Sequence, residues 1–213
     1  KSQLTDELLA FEADHVWVSE NLKTLLEQYA EQWIAVKDGK VIASDPDLTG
    51  LLSKLSDPAH TCVEFITREP LEMDYDHSGP FIGDAPYFAV HLRSARFQGL
   101  IWFLADTGAS RTTLLDRDVR LLGIQSESLE PASLPIVGIG GSVRSFLVRD
   151  VEFTLASDEG DVIQRQDLYV VQHDLSQLPP EEVSRILRLP SVLGRDLIIG
   201  FAFHATTKLE SFD

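Results

Sequence analysis

Apolar and polar positions divide this chain into two stretches of different periodicity. In the first, Leu22, Leu25, Leu26 and Tyr29 recur at three- and four-residue spacing, which predicts an amphipathic helix with Ser19 as its cap. Trp33-Ile-Ala-Val-Lys37 and Lys40-Val-Ile-Ala43 then flank Asp38-Gly39, a dipeptide that between apolar runs predicts a tight hairpin turn. Asp45-Pro46 predicts the start of a second helix bearing Leu48, Leu51, Leu52 and Leu55, and Cys62-Val-Glu-Phe-Ile-Thr67 alternates as a strand. These elements predict a small α/β domain over residues 1–72. Beyond it the Pro, Gly and acid content of Glu69 to Pro80 predicts a linker, placed at 73–84.

The second stretch, residues 85–213, is patterned mainly for strands. Leu100-Ile-Trp-Phe-Leu-Ala105 is continuously apolar, as a strand buried on both faces is, and it delivers Asp106-Thr107-Gly108-Ala109-Ser110. Two strand-like arms then enclose Val137-Gly138-Ile139-Gly140-Gly141, a tip whose glycines predict a mobile hairpin. Pro179-Pro180-Glu181-Glu182 predicts a helix from about 181 to 187, with Pro in the first turn and acids at the positive end of the dipole. Ser191-Val192-Leu193-Gly194-Arg195-Asp196 follows, and Ile199 to His204 suits either a helix or a further strand.

Composition narrows the functional classes. With 213 residues, 44% of them hydrophobic, the chain has material for a sizeable core. Cys62 is the single cysteine, so no internal disulfide staples the fold; a reducing compartment and a buried, inert thiol are expected. The net charge of -16 repels nucleic acid and anionic membranes, and half of the 34 acids but only six of the 18 bases lie in the first 84 residues. No apolar run approaches the roughly 18 residues of a membrane span, and the opening Lys1 to Glu7 lacks a signal-peptide pattern. A cytoplasmic location is the expectation.

The chemistry concentrates at Asp106. A carboxylate that follows a buried strand on a glycine-containing turn either caps that turn through its own backbone amides or is held for a reaction. Asp116, Asp118 and Asp196 each sit beside a basic residue and are expected to pair at the surface. Asp74, Asp76 and His77 fit a divalent cation or a solvated acidic linker; no second ligand cluster stands out, and neither metal nor cofactor is expected. Ser142 lies in Gly-Gly-Ser-Val rather than in a nucleophile elbow. The glycines of 138–141 match neither phosphate-loop spacing, and no Lys follows them.

An Asp-Thr-Gly-Ala-Ser turn, a Gly-Ile-Gly-Gly hairpin and a Val-Leu-Gly-Arg-Asp-Leu segment, in that order, closely resemble the retropepsin family, the single-domain aspartic proteases of retroviruses and their cellular relatives. The resemblance runs from about Ala85 to Asp213. It implies a mainly β, closed barrel-like acid-protease domain that works as a homodimer on a peptide or protein substrate. Asp106 is then the catalytic carboxylate, Thr107 a hydroxyl that bonds across to the partner subunit, and Gly108 a main-chain contact to substrate. Ala109 stands where many pepsin-like relatives carry Ser or Thr, and Ser110 faces the substrate main chain. Val137, Gly138, Ile139, Gly140 and Gly141 correspond to a flap, and Val192, Leu193 and Gly194 to the segment beneath the active-site turn. From Asp106 to Gly194 is 88 positions, longer than in the compact viral enzymes, with the excess expected around Ser157–Gly160 and Gln172–Pro190. The Trp33 to Ala43 hairpin, with its helix and strand, resembles a small prokaryotic domain of unknown function. A second class stays open: the same fold used as a dimerisation or peptide-binding module with little proteolysis.

Overall fold

The computed structural model describes residues 2–69, 86–133, 143–157 and 160–201. The segment read as linker lies outside this set, as do Asp74, Asp76 and His77, weighed as cation ligands, Val137, Gly138, Ile139, Gly140 and Gly141, read as a flap, and the residues after 201.

The chain opens on α1 (Gln3–Glu20), capped by Ser2, whose side chain accepts from the Thr5 amide. Ser19 is therefore not a helix start; it lies inside α1, and its hydroxyl donates to the His15 carbonyl. The amphipathic helix α2 (Leu22–Tyr29) begins after Asn21. β1 (Gln32–Lys37) and β2 (Lys40–Asp45) form the expected hairpin, with Asp38 and Gly39 both at positive φ (52° and 64°). Asp38-Gly39 suits that geometry because Asp tolerates the left-handed region and Gly pays no steric penalty there. α3 (Leu48–Ser53) is capped by Asp47, two residues beyond Asp45, and β3 (Cys62–Ile66) pairs antiparallel with the other edge of β1.

β1 is thus the centre of a three-stranded sheet buried on both faces. Ile34 and Val36 pack with Leu8, Phe11, Val18 and Leu25 of α1 and α2. On the opposite face Trp33, Ala35 and Val63 pack with Leu48, Leu51, Leu121 and Leu187. The last two belong to the second stretch, so the N-terminal sheet is held between its own helices and later elements of the chain.

That second stretch is a ring of strands. β4 (Tyr87–Arg93), β5 (Gln98–Ala105), β6 (Thr113–Leu114), β7 (Glu130–Pro131), β8 (Val143–Leu155), β9 (Val162–His173) and β10 (Val192–Leu193) lie in the order β4-β5-β10-β6-β9-β8-β7, and β4 also pairs with β8. The protein as a whole is mixed α/β with β-rich sheets. Inside the ring are Val90, Ile101, Phe103, Phe153, Leu168 and Leu193. The outer face of β4 and β5, with Ala89, Leu100 and Trp102, is covered by α1. Burial on both faces explains why Leu100–Ala105 is apolar without alternation. α4 (Asp116–Leu121) follows β6, and α5 (Pro180–Arg188) occupies the expected place one residue longer at each end. Residues 195–201 are helical, which decides the Ile199 segment against a strand as far as residue 201.

Candidate functional site

Asp106 stands where β5 runs out. Its position depends on the parallel pairing of β5 with β10, Leu104 beside Val192 and Ala105 beside Leu193. The Leu104 amide donates to the Ser191 carbonyl at 2.9 Å and the Asp106 amide to the Leu193 carbonyl at 3.0 Å. The turn then closes on itself. The Gly108 amide donates to Asp106 Oδ1 at 2.7 Å, and the Ala109 amide to the Asp106 carbonyl at 3.2 Å. One carboxylate oxygen is therefore engaged in the turn, the capping arrangement expected of Asp before Thr-Gly. Asp106 and Ala109 are half-buried, whereas Thr107, Gly108 and Ser110 are exposed.

The segment beneath the turn is locked by Thr112. Its hydroxyl donates to Asp196 Oδ1 at 2.8 Å and accepts from the Gly194 amide at 3.0 Å, while its own amide donates to the same carboxylate at 2.9 Å. The Arg195 amide donates to the Ala109 carbonyl at 2.9 Å, so the turn is tied to the start of the last helix as well. Val192, Leu193, Gly194 and the Asp106 turn are thus brought together as one bonded unit.

Asp196 is not paired with its neighbour Arg195, and Asp116 and Asp118 are not at the surface. Asp116 is 3% and Asp118 2% exposed. Asp116 accepts from the His173 amide at 2.9 Å and pairs with His173 Nδ1 at 2.6 Å. Asp118 accepts from Arg117 Nε at 2.9 Å and from the Ser191 hydroxyl at 2.5 Å. The surface expectation fails because α4 packs inward between β9 and α5, and its carboxylates bond segments distant in sequence. Thr112, Ser191 and Asp118 were missed as supports of the site, and no sequence signal marks them, because their partners lie more than 70 residues away.

Of the hairpin expected to act as a flap, the base lies within the described residues. Glu130 and Pro131 of β7 pair with Leu147 and Phe146 of β8, and the Ala132 amide donates to the Ser145 carbonyl at 2.9 Å. Among the described residues no three His, Cys, Asp or Glu side chains gather as a metal site, and no helix is long and apolar enough to cross a membrane.

Residues 24–67 match the model of a family of unknown function (DUF5678), a span that takes in most of α2, the three-stranded sheet and α3. No curated protein matches the chain. Solved structures do match, among them EIAV protease complexed with the inhibitor HBY-793. That likeness is weak: 18% identity and a TM-score of 0.36, covering 59% of this chain and 95% of the other.

Proposed function

We propose that this protein is an aspartic endopeptidase whose reacting group is Asp106. The observation that carries the reading is the half-buried Asp106 beside exposed Thr107 and Gly108, its backbone at the end of two paired parallel strands and one carboxylate oxygen held by the Gly108 amide. Such a carboxylate is rigid, wet on one side and within reach of an extended chain laid across the turn, which is what a general base acting on water needs. The motif order supports the same reading.

The chain has a single Asp-Thr-Gly. A two-fold homodimer supplies the second carboxylate, and the two Asp106 side chains share one proton because like charges about 3 Å apart do not both ionise. The ionised Asp106 takes a proton from water as its oxygen attacks the peptide carbonyl carbon; the protonated one hydrogen-bonds the carbonyl oxygen. Collapse of the tetrahedral intermediate breaks the C–N bond, and the leaving nitrogen takes a proton from the dyad. Thr107 lies at the subunit contact, and Gly108 and Ser110 meet the substrate main chain. Cytoplasmic location belongs to the same proposal.

The test is incubation of the protein with a diverse peptide library from pH 4 to 8, beside Asp106→Asn. The proposal expects cleavage by the first alone. Specific peptide retention by both proteins without cleavage would instead favour a binding module.

A further inference from the structure

A chain of buried and half-buried polar groups runs from the N-terminal sheet to the segment under Asp106. Its first link is His15 of α1, whose Nδ1 lies 2.9 Å from Glu64 Oε1 on β3. Glu64 Oε2 faces Arg117 Nη1 of α4 at 4.0 Å. Arg117, 6% exposed, turns its other edge to Asp118, with Nε at 2.9 Å and Nη2 at 3.3 Å from the two carboxylate oxygens. Asp118 accepts from the Ser191 hydroxyl, and Ser191, itself fully buried, accepts the Leu104 amide through its carbonyl and the Leu115 amide through its hydroxyl. The last link therefore ends on the strand that delivers Asp106.

The same His15 reaches that strand by a second route. Its ring lies flat on Trp102 of β5, centroids 4.8 Å apart at 6°, and Trp102 lies flat on Tyr87 of β4 at 5.7 Å and 5°. Trp102 is four residues before Asp106. One His–Glu pair thus grips both strands that carry the turn, β5 directly and the entry to β10 through Arg117.

Arg117 and Glu64 are arranged to stay charged. Burial works against the charge on Arg117, but Asp118 and then Glu64 outweigh it and raise its pKa further. Burial likewise opposes ionisation of Glu64, and its hydrogen bond and charge contact with His15, helped by Arg117, hold the carboxyl below its usual range. A buried guanidinium cannot relax into water, so its place depends on carboxylates on both edges. Adjacent residues on a helix do not normally face one another, and Arg117 bends back to Asp118 while Glu64 stands on the opposite edge.

We infer that Glu64 and His15 are positioning residues for the Asp106 turn, acting through Arg117, Asp118 and Ser191 and through Trp102; the inference rests on the reading of Asp106 as the reacting carboxylate. The N-terminal domain is on this view part of the site's support rather than an independent appendage.

The experiment is native-state amide exchange on the full chain, comparing Glu64→Gln and Ser191→Ala with Asp161→Asn. Asp161 anchors the far end of α1 through Ser2 and Thr5, so its loss loosens the same helix away from the relay. At matched global stability, Glu64→Gln and Ser191→Ala should speed exchange of the Leu104 and Asp106 amides about tenfold or more relative to Asp161→Asn. The Glu64→Gln, Ser191→Ala double variant should add little to either single change, because both cut one chain. Exchange at those amides that is unchanged, or that rises equally in all three variants, overturns the inference. The readout needs no substrate, so a protein that cleaves nothing would defeat the proposed reaction while the exchange result still judged the coupling. Where cleavage is seen, Glu64→Gln should lower kcat with little change in KM.

Discussion

At Gly194 the chain passes so close to Arg111 that a β-carbon would sit 2.4 Å from its carbonyl carbon and 2.8 Å from the Thr112 nitrogen. Those neighbours are backbone and cannot swing aside. Gly194→Ala should therefore cost about 1–3 kcal/mol, read from urea unfolding, and should loosen the Thr112–Gly194 bond that holds the turn. Ala109 is the second informative position. Its side chain is a methyl, so Asp106 receives no hydroxyl bond from it; a bond to the ionised form would favour that form. Ala109→Ser should move the upper limb of the cleavage pH profile down by about half a unit to one unit, the worth of one hydrogen bond of roughly 1 kcal/mol. An unmoved profile would show that another group sets the dyad's protonation.

Among the elements, α1 decides how far the two stretches of sequence act as one. Asp14, on its inward face, accepts from the Asp38 and Gly39 amides at 3.3 and 2.8 Å and so braces the β1–β2 turn. Asp14→Ala should destabilise the protein by about 1 kcal/mol, because two half-exposed turn amides lose a buried acceptor and turn to water instead; thermal or denaturant unfolding reads it. The same residues explain why α1 was not legible. Its buried positions include Thr5, Asp14 and His15 beside Leu8, Phe11 and Val18, so the inward face does not read as an apolar stripe. By contrast β1, β2 and α5 were legible, because their turns and starts use residues with specific backbone reasons, Asp38-Gly39 for positive φ and Pro180 for a helix start, whereas α2 was legible from the spacing of its leucines but not from its cap. At the site, Asp106 and the Val192–Gly194 segment stood out from the glycines and the apolar pattern. Their supports did not, since Ser191, Thr112 and Asp118 gain meaning only when segments more than 70 residues apart meet.

For the molecule as a whole, acid should be the destabilising direction. Burial, reinforced by the charges of His60 and Arg93, holds the His91 imidazole below its ordinary range, while Glu7 and Glu152 oppose that shift. The unfolded chain then takes up a proton that the folded chain refuses, so this contribution is present above pH 6.5 and is lost as pH falls below it. Glu64 and Asp161 are held below their usual carboxylate values, and they add a second loss as pH falls through 4.5 and 3.8 respectively. Unfolding free energy should therefore decline from pH 7 to below pH 4. Stability that rises toward pH 4 would contradict this account. Assembly belongs to the same scale: with one Asp-Thr-Gly per chain, the proposed reaction requires two copies, and Thr107→Ala should weaken self-association, followed by sedimentation, by about 1–3 kcal/mol if its hydroxyl bonds across a buried contact.

The proposed peptide cleavage by Asp106 is read from the hydrolysis rate of the intact protein and of Asp106→Asn on one peptide pool, normalised to the folded fraction of each. Specific peptide-bond hydrolysis by the parent, with a loss of about 10³-fold or more in the variant at equal folding, is the predicted result. Hydrolysis that survives Asp106→Asn undiminished, or a folded dimeric parent that cleaves no peptide at any pH from 4 to 8, would contradict it.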